Sequence, residues 1–221
     1  MQDLIKQERF ELEVLDRLNS GKFLSNLVLG GGTMLRLCYG LNRFSLDLDF
    51  WTIKKLNQNK LYQELKKYLA QFYTLTDCAN KFYTLIFEIK SRDYPRRLKL
   101  EIRKEKKKIR TAQAIAYSPY ANTQVLLKVV SLLDMMQAKI GAFLKRKEIR
   151  DVFDMEFLLK KGVALNAPVK TLKQLLKEIA SLGAGDYRVK LGSILEETQR
   201  KYYLRENFKI LKSAIQEKLA I

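Results

Sequence analysis

Residues 27–51 read Leu27-Val28-Leu29-Gly30-Gly31-Gly32-Thr33-Met34-Leu35-Arg36-Leu37-Cys38-Tyr39-Gly40-Leu41-Asn42-Arg43-Phe44-Ser45-Leu46-Asp47-Leu48-Asp49-Phe50-Trp51, and this stretch decides the fold. An apolar run enters a glycine turn, so 27–29 is expected to be a short buried strand, followed by a helix that Thr33 caps and Gly40 closes. Over 44–51 the pattern alternates: Phe44, Leu46, Leu48 and Phe50 take one face, and Ser45, Asp47, Asp49 and Trp51 the other. Two carboxylates therefore project from one side of one strand, and the apolar side must be covered.

Working outward, residues 3–19 carry apolar positions at helical spacing and stop at Asn19-Ser20-Gly21. A polar helix is expected over 61–72. Residues 82–89 and 97–103 alternate and predict a hairpin joined across Ser91-Arg92-Asp93-Tyr94-Pro95. Beyond about residue 122 the reading is helical throughout, over 123–146, 148–160, 168–181, 188–202 and 206–220. The fold class is thus α/β (α+β): a mixed sheet flanked by helices in a core of residues 1–121, with a C-terminal helical lobe over 122–221. Ser118-Pro119-Tyr120-Ala121-Asn122 is a turn with no long linker, so the lobe is expected to pack on the core.

Composition removes several chemistries. Histidine is absent, which excludes Ser/His and Cys/His nucleophiles and the commonest zinc ligand. Cys38 and Cys78 form no CxxC and no disulfide framework. The apolar run at 125–133 is broken by Lys128 and Ser131 and is too short to span a bilayer. The first residues lack the apolar core of a secretory signal, so a cytoplasmic location is expected and no membrane is involved. A net charge of +18 attracts polyanions, nucleic acid first among them, although a lysine-rich soluble surface has the same composition. Over 90–110, eleven cations (Lys90, Arg92, Arg96, Arg97, Lys99, Arg103, Lys104, Lys106, Lys107, Lys108 and Arg110) face only Asp93, Glu101 and Glu105.

Glycines at the start of a helix present backbone N–H groups and the positive end of its dipole, which suits a phosphate. The same glycines would also serve simply to let a helix and strand approach. The turn completes neither a P-loop nor a GxGxxG fingerprint. Asp47 and Asp49 repel one another unless a cation or a basic neighbour offsets them, and oxygen donors select Mg²⁺ or Mn²⁺.

A strand–Gly-Gly–helix unit followed by a DxD strand resembles the DNA polymerase β-like nucleotidyltransferase superfamily. More narrowly, residues 29–37 with 43–50 resemble the AbiEii toxin family of type IV toxin–antitoxin systems, in which a GGTxL segment precedes an RxSxDLD segment. A second block is similar as well: Ala138-Lys139-Ile140, then Arg146, then Arg150-Asp151-Val152-Phe153-Asp154.

The resemblance implies transfer of a nucleoside monophosphate from an NTP to an acceptor hydroxyl, with pyrophosphate released. It implies metal ligation by Asp47, Asp49 and a third carboxylate on a later strand. Glu101 is the candidate, because Arg97, Lys99, Glu101 and Arg103 share a strand face; Glu88 is its competitor. It implies phosphate binding by Gly31, Gly32 and Thr33, nucleotide contacts from Arg43 and Ser45, and a triphosphate contact from Lys139. Asp151 and Asp154 would position Lys139 or the nucleotide, although Asp151 also suits an ordinary acidic helix start. Lys139 itself stands among Leu132, Leu133, Met135, Met136, Ile140 and Phe143, where an ammonium needs an anion or a route to water. The implied partners are NTP, an RNA acceptor such as a tRNA 3′ end, and a cognate antitoxin. Two other readings stand beside this one: a nucleotidyltransferase acting on a small molecule or a protein, and a non-catalytic RNA-binding module of the same fold.

Overall fold

The computed structural model describes residues 2–106 and 108–220; Lys107 of the basic run lies outside the described residues. Contacts divide the chain into two compact units: residues up to 40 with 44–131, and 41–43 with those from 132 onward.

The first unit is built on a seven-stranded mixed sheet. Its elements are α1 (Gln2–Ser20), β1 (Leu27–Gly30), α2 (Gly31–Tyr39), β2 (Asp47–Thr52), α3 (Gln58–Leu69), β3 (Thr74–Asn80), β4 (Thr84–Lys90), β5 (Leu98–Lys106), β6 (Thr111–Ala116) and β7 (Val125–Val130). The order is β3-β4-β5-β2-β1-β7-β6. β2 runs parallel to β5 and β1 parallel to β7, while the remaining neighbours are antiparallel. Parallel pairing requires crossovers, and α2 and α3 with the β3–β4 hairpin lie in them.

Register explains the core. Leu48 pairs with Leu100 and Leu100 with Phe87; Phe50 pairs with Ile102 and Ile102 with Leu85. All six are fully buried, so one face of the central strands is continuous apolar packing. The helix α3 lies against this half of the sheet, with the Tyr62 and Phe87 rings stacked at 5.3 Å between centroids. The opposite face carries two rows: Asp47, Lys99 and Glu88, and beside it Asp49, Glu101 and Ile86.

Several elements differ from expectation. The helix α2 begins at Gly31 with Gly30 as its N-cap, because Thr33 donates its hydroxyl to the Asp47 carbonyl at 2.6 Å instead of capping. β2 starts at Asp47: Phe44 lies under the Arg36 guanidinium, 4.4 Å from the ring centroid, and 44–46 stay outside the ladder. The helix expected from 123 is a strand as far as Val130. Leu127 and Val129 are buried and Leu126 exposed, a period-two pattern in which Val129 pairs with Leu29 inside the sheet, one strand in from the β6 edge. β3 and β6 are edge strands with few buried residues, so they carried little pattern to detect.

The second unit contains α4 (Leu132–Arg146), α5 (Ile149–Lys160), α6 (Val169–Ala180), α7 (Glu197–Glu206) and α8 (Lys209–Leu219). α4 packs on α5 and α6, and α8 on α5 and α6. Where a helix over 188–202 was expected, a single π-helical stretch (Asp186–Leu191) precedes α7. Asn207 and Phe208, both at positive φ, break α7 from α8. Buried Glu156 on α5 accepts the Leu211 amide at 3.1 Å and the Lys160 ammonium at 2.9 Å, which fixes α8 to α5. Among the described residues no helix is long and apolar enough to cross a membrane.

Candidate active site

On the polar face of the sheet, Asp49 of β2 and Glu101 of β5 are register partners, and Asp47 is the partner of Lys99. Partners on neighbouring strands share a face, so Asp47, Asp49 and Glu101 converge on one patch. The Lys99 ammonium lies 3.8 Å from Asp47 and 3.6 Å from Glu101, a countercharge between two of the three carboxylates. Glu88 is committed elsewhere. It accepts from Thr76 and from Arg97, each at 2.7 Å, and these hydrogen bonds, Thr76 first, hold its carboxyl below the usual glutamate range. Of the two candidates for the third carboxylate, Glu101 is the one beside Asp49.

The glycine turn shapes the patch. Gly31 has φ +74°, and a Cβ there would stand 3.0 Å from the Asp49 Cβ and collide with its Oδ2. Only glycine combines this conformation with so close an approach. The Asp49 carboxylate thereby lies at the N-terminal turn of α2. Gly32 and Thr33 are buried in that turn, and Thr33 ties it to β2 through the Asp47 carbonyl. Ser45 is half-buried just before β2.

Sequence reasoning missed Glu11 and the role of Lys99. Glu11 is 1% exposed on α1, and one of its oxygens has no hydrogen-bond partner among the described residues. Burial first, then the charges of Glu8 and Asp47, push its carboxyl well above the usual range. Its neighbour Glu8 is satisfied by Arg36 at 2.7 Å and Ser118 at 2.5 Å. A signal was present: Glu8 and Glu11 fall in one helical stripe with Leu4, Leu15 and Leu18, where only core residues belong.

In the second unit the predicted Arg43, Lys139, Arg146, Asp151 and Asp154 form one ionic chain, buried at every member except Arg146, which is exposed. Arg43 grips Asp154 with two hydrogen bonds at 2.6 and 2.7 Å. Lys139 lies 2.5 Å from Asp154 and 3.1 Å from Asp151, and Arg146 grips Asp151 at 2.7 Å twice. Asp151 and Asp154 are completely buried, Arg43 is 3% exposed and Lys139 6%. The anion that Lys139 requires in its apolar helix is thus supplied by α5. Burial would raise the Asp154 carboxyl, but Arg43 and then Lys139 outweigh it and hold it below the usual aspartate range. Arg150 is exposed.

Donor chemistry decides whether a divalent cation suits the first unit. Among the described residues no three carboxylate, His or Cys side chains already close around a point. The patch nevertheless offers only hard oxygen donors, on strands whose register brings them together, and an ammonium already stands between two of them. That combination fits Mg²⁺ or Mn²⁺ better than a softer metal.

A family model described as nucleotidyl transferase AbiEii toxin, type IV TA system, matches residues 13–217. A search of curated proteins returned no match. Three solved structures share the fold. A Helicobacter pylori protein described as a candidate nucleotidyltransferase has a TM-score of 0.57 at 21% identity, over 95% of this chain and 96% of that one. JHP933 from Helicobacter pylori gives 0.55 at 21% identity, over 95% and 94%. MenT4, a nucleotidyltransferase toxin from Mycobacterium tuberculosis, gives 0.50 at 14% identity, over 96% and 89%.

Proposed function

The chain belongs to the AbiEii nucleotidyltransferase toxin family of type IV toxin–antitoxin systems, and from that premise we propose that it transfers a nucleoside monophosphate from an NTP to a hydroxyl of RNA, with a tRNA 3′ end as the first acceptor to test. The observation that carries this reading is the shared strand face of Asp47, Asp49 and Glu101, with Gly31 making room for Asp49.

In the reaction the acceptor oxygen forms a bond to the α-phosphorus, the α–β anhydride bond breaks, and pyrophosphate leaves. The hydroxyl proton passes to water by way of the site's carboxylates. Asp47, Asp49 and Glu101 would hold a divalent Mg²⁺ or Mn²⁺, which would supply positive charge to offset the charge that develops in phosphoryl transfer. The backbone N–H groups of Gly31 and Gly32 and the α2 dipole favour a phosphate at the same turn. Thr33 acts by holding the turn to β2. We assign Arg43, Ser45 and Lys139 to the nucleotide, with Asp151 and Asp154 fixing the ammonium. Three cations against two carboxylates in that chain leave one net positive charge, which supports an anionic ligand.

The family implies an antitoxin partner. The basic run supports RNA as acceptor over a cationic small molecule, since acidic docking residues are scarce in it. The test is incubation with total RNA, Mg²⁺ and each α-labelled NTP in turn. Labelled RNA from the wild type and none from Asp47→Asn is the expected result; label that appears only in protein or small molecules overturns the RNA acceptor.

A further inference from the structure

The β3–β4 hairpin turns through Lys81, Phe82, Tyr83 and Thr84, closed by the Lys81 amide donating to the Thr84 carbonyl at 2.9 Å. Phe82 is 83% exposed and Tyr83 73%, the two most exposed large hydrophobic residues among those described. Turn chemistry does not account for them. A two-residue hairpin loop favours Gly, Asn or Asp at positive φ, whereas here two aromatic residues turn at negative φ. Core packing does not account for them either, since their rings meet each other, edge to face at 4.6 Å between centroids.

The tip is held from below. The Lys104 amide on β5 donates to the Tyr83 carbonyl at 3.0 Å, and the Lys104 ammonium donates to the Lys81 carbonyl. Lys81, Arg103 and Lys106 are exposed on the turn and the adjoining end of β5, with Glu105 the neighbouring acid. Register connects the tip to the carboxylates. Thr84 is the partner of Arg103, on the strand face that also carries Glu101. At about 3.3 Å per residue, the tip lies roughly 10 Å along β5 from Glu101, on the order of three stacked nucleotides.

We propose that Phe82 and Tyr83 form a stacking platform for an unpaired base of the RNA acceptor, a few nucleotides from the reacting hydroxyl, while Lys81, Lys104 and Lys106 meet the flanking phosphates. The proposal rests on the RNA-acceptor reading above. Every base presents a π-face, so such a platform orders a single strand without reading its sequence, and the surrounding cations match its charge.

The test measures binding of a labelled single-stranded oligoribonucleotide by anisotropy to the wild type, Phe82→Ala/Tyr83→Ala and Phe82→Tyr/Tyr83→Phe. The double alanine variant should bind roughly tenfold more weakly with an unchanged salt slope, and the exchanged pair should bind like the wild type. Both should melt like the wild type, because the rings are exposed. An abasic site scanned back from the 3′ end should weaken wild-type binding at one position and leave the alanine variant indifferent. Lys104→Ser/Lys106→Ser/Lys108→Ser should instead flatten the salt slope by about 0.7 per lost phosphate contact. Equal RNA affinity of the alanine variant and wild type overturns the platform while the acceptor reading stands. A wild type that neither binds nor labels RNA overturns both.

Discussion

Any side chain at Gly31 would drive its Cβ into the carboxylate of Asp49, so the glycine turn and the acidic strand are two halves of one device. Gly31→Ala should therefore lower stability by about 1–2 kcal/mol from its positive φ alone. It should also displace Asp49 and abolish nucleotide transfer. Urea unfolding and RNA labelling measure the two effects; a variant with normal specific activity would show that Asp49 works from a different position.

The pairing of Asp49 with Glu101, and the commitment of Glu88 to Thr76 and Arg97, separates the candidates for the third carboxylate. Glu101→Gln, like Asp47→Asn and Asp49→Asn, should lose transfer by on the order of a hundredfold or more while remaining folded. Glu88→Gln should retain it. The reverse pattern would move the third ligand to β4.

Asp154→Asn leaves Arg43 and Lys139 buried with a weakened partner, and breaking such a network costs about 3–5 kcal/mol. Because Arg43 and Lys139 hold the Asp154 carboxyl below its ordinary 3.8, the ionised form stabilises the fold above that pH. This contribution is lost as pH falls through the lower folded value. Acid unfolding followed by circular dichroism should show a steeper decline below about pH 3.8 for wild type than for Asp154→Asn; superimposable profiles would exclude the ionic chain as a source of stability.

Glu11 predicts the opposite dependence. Its carboxyl is raised well above 4.5 by burial, Glu8 and Asp47, so the folded protein prefers it protonated. Stability from that preference is complete below 4.5 and declines as pH rises towards the folded value. Glu11→Gln should remove this decline and leave the protein at least as stable as wild type at neutral pH. Thermal melts between pH 4 and 8 decide it, and a large loss of stability in Glu11→Gln at pH 7 would mean that Glu11 is ionised and paired.

The sequence by itself determined the glycine turn, the face that Asp47 and Asp49 share, the hairpin that presents Glu101, and the Lys139 and Asp154 helices. Each follows from chain geometry within a few residues, where a period of two or of 3.6 places side chains regardless of what lies opposite. Tertiary structure decided what those side chains meet. Arg43 and Asp154 lie 111 residues apart in sequence. Asp49 faces Glu101 only because β2 and β5 pair in parallel with one register among many, and Lys99 becomes a countercharge through the same register. The strand over Val125–Val130 was readable as a helix until the sheet gave Val129 a partner in Leu29, because a short apolar run satisfies either period and only long-range hydrogen bonding to a neighbouring strand chooses between them.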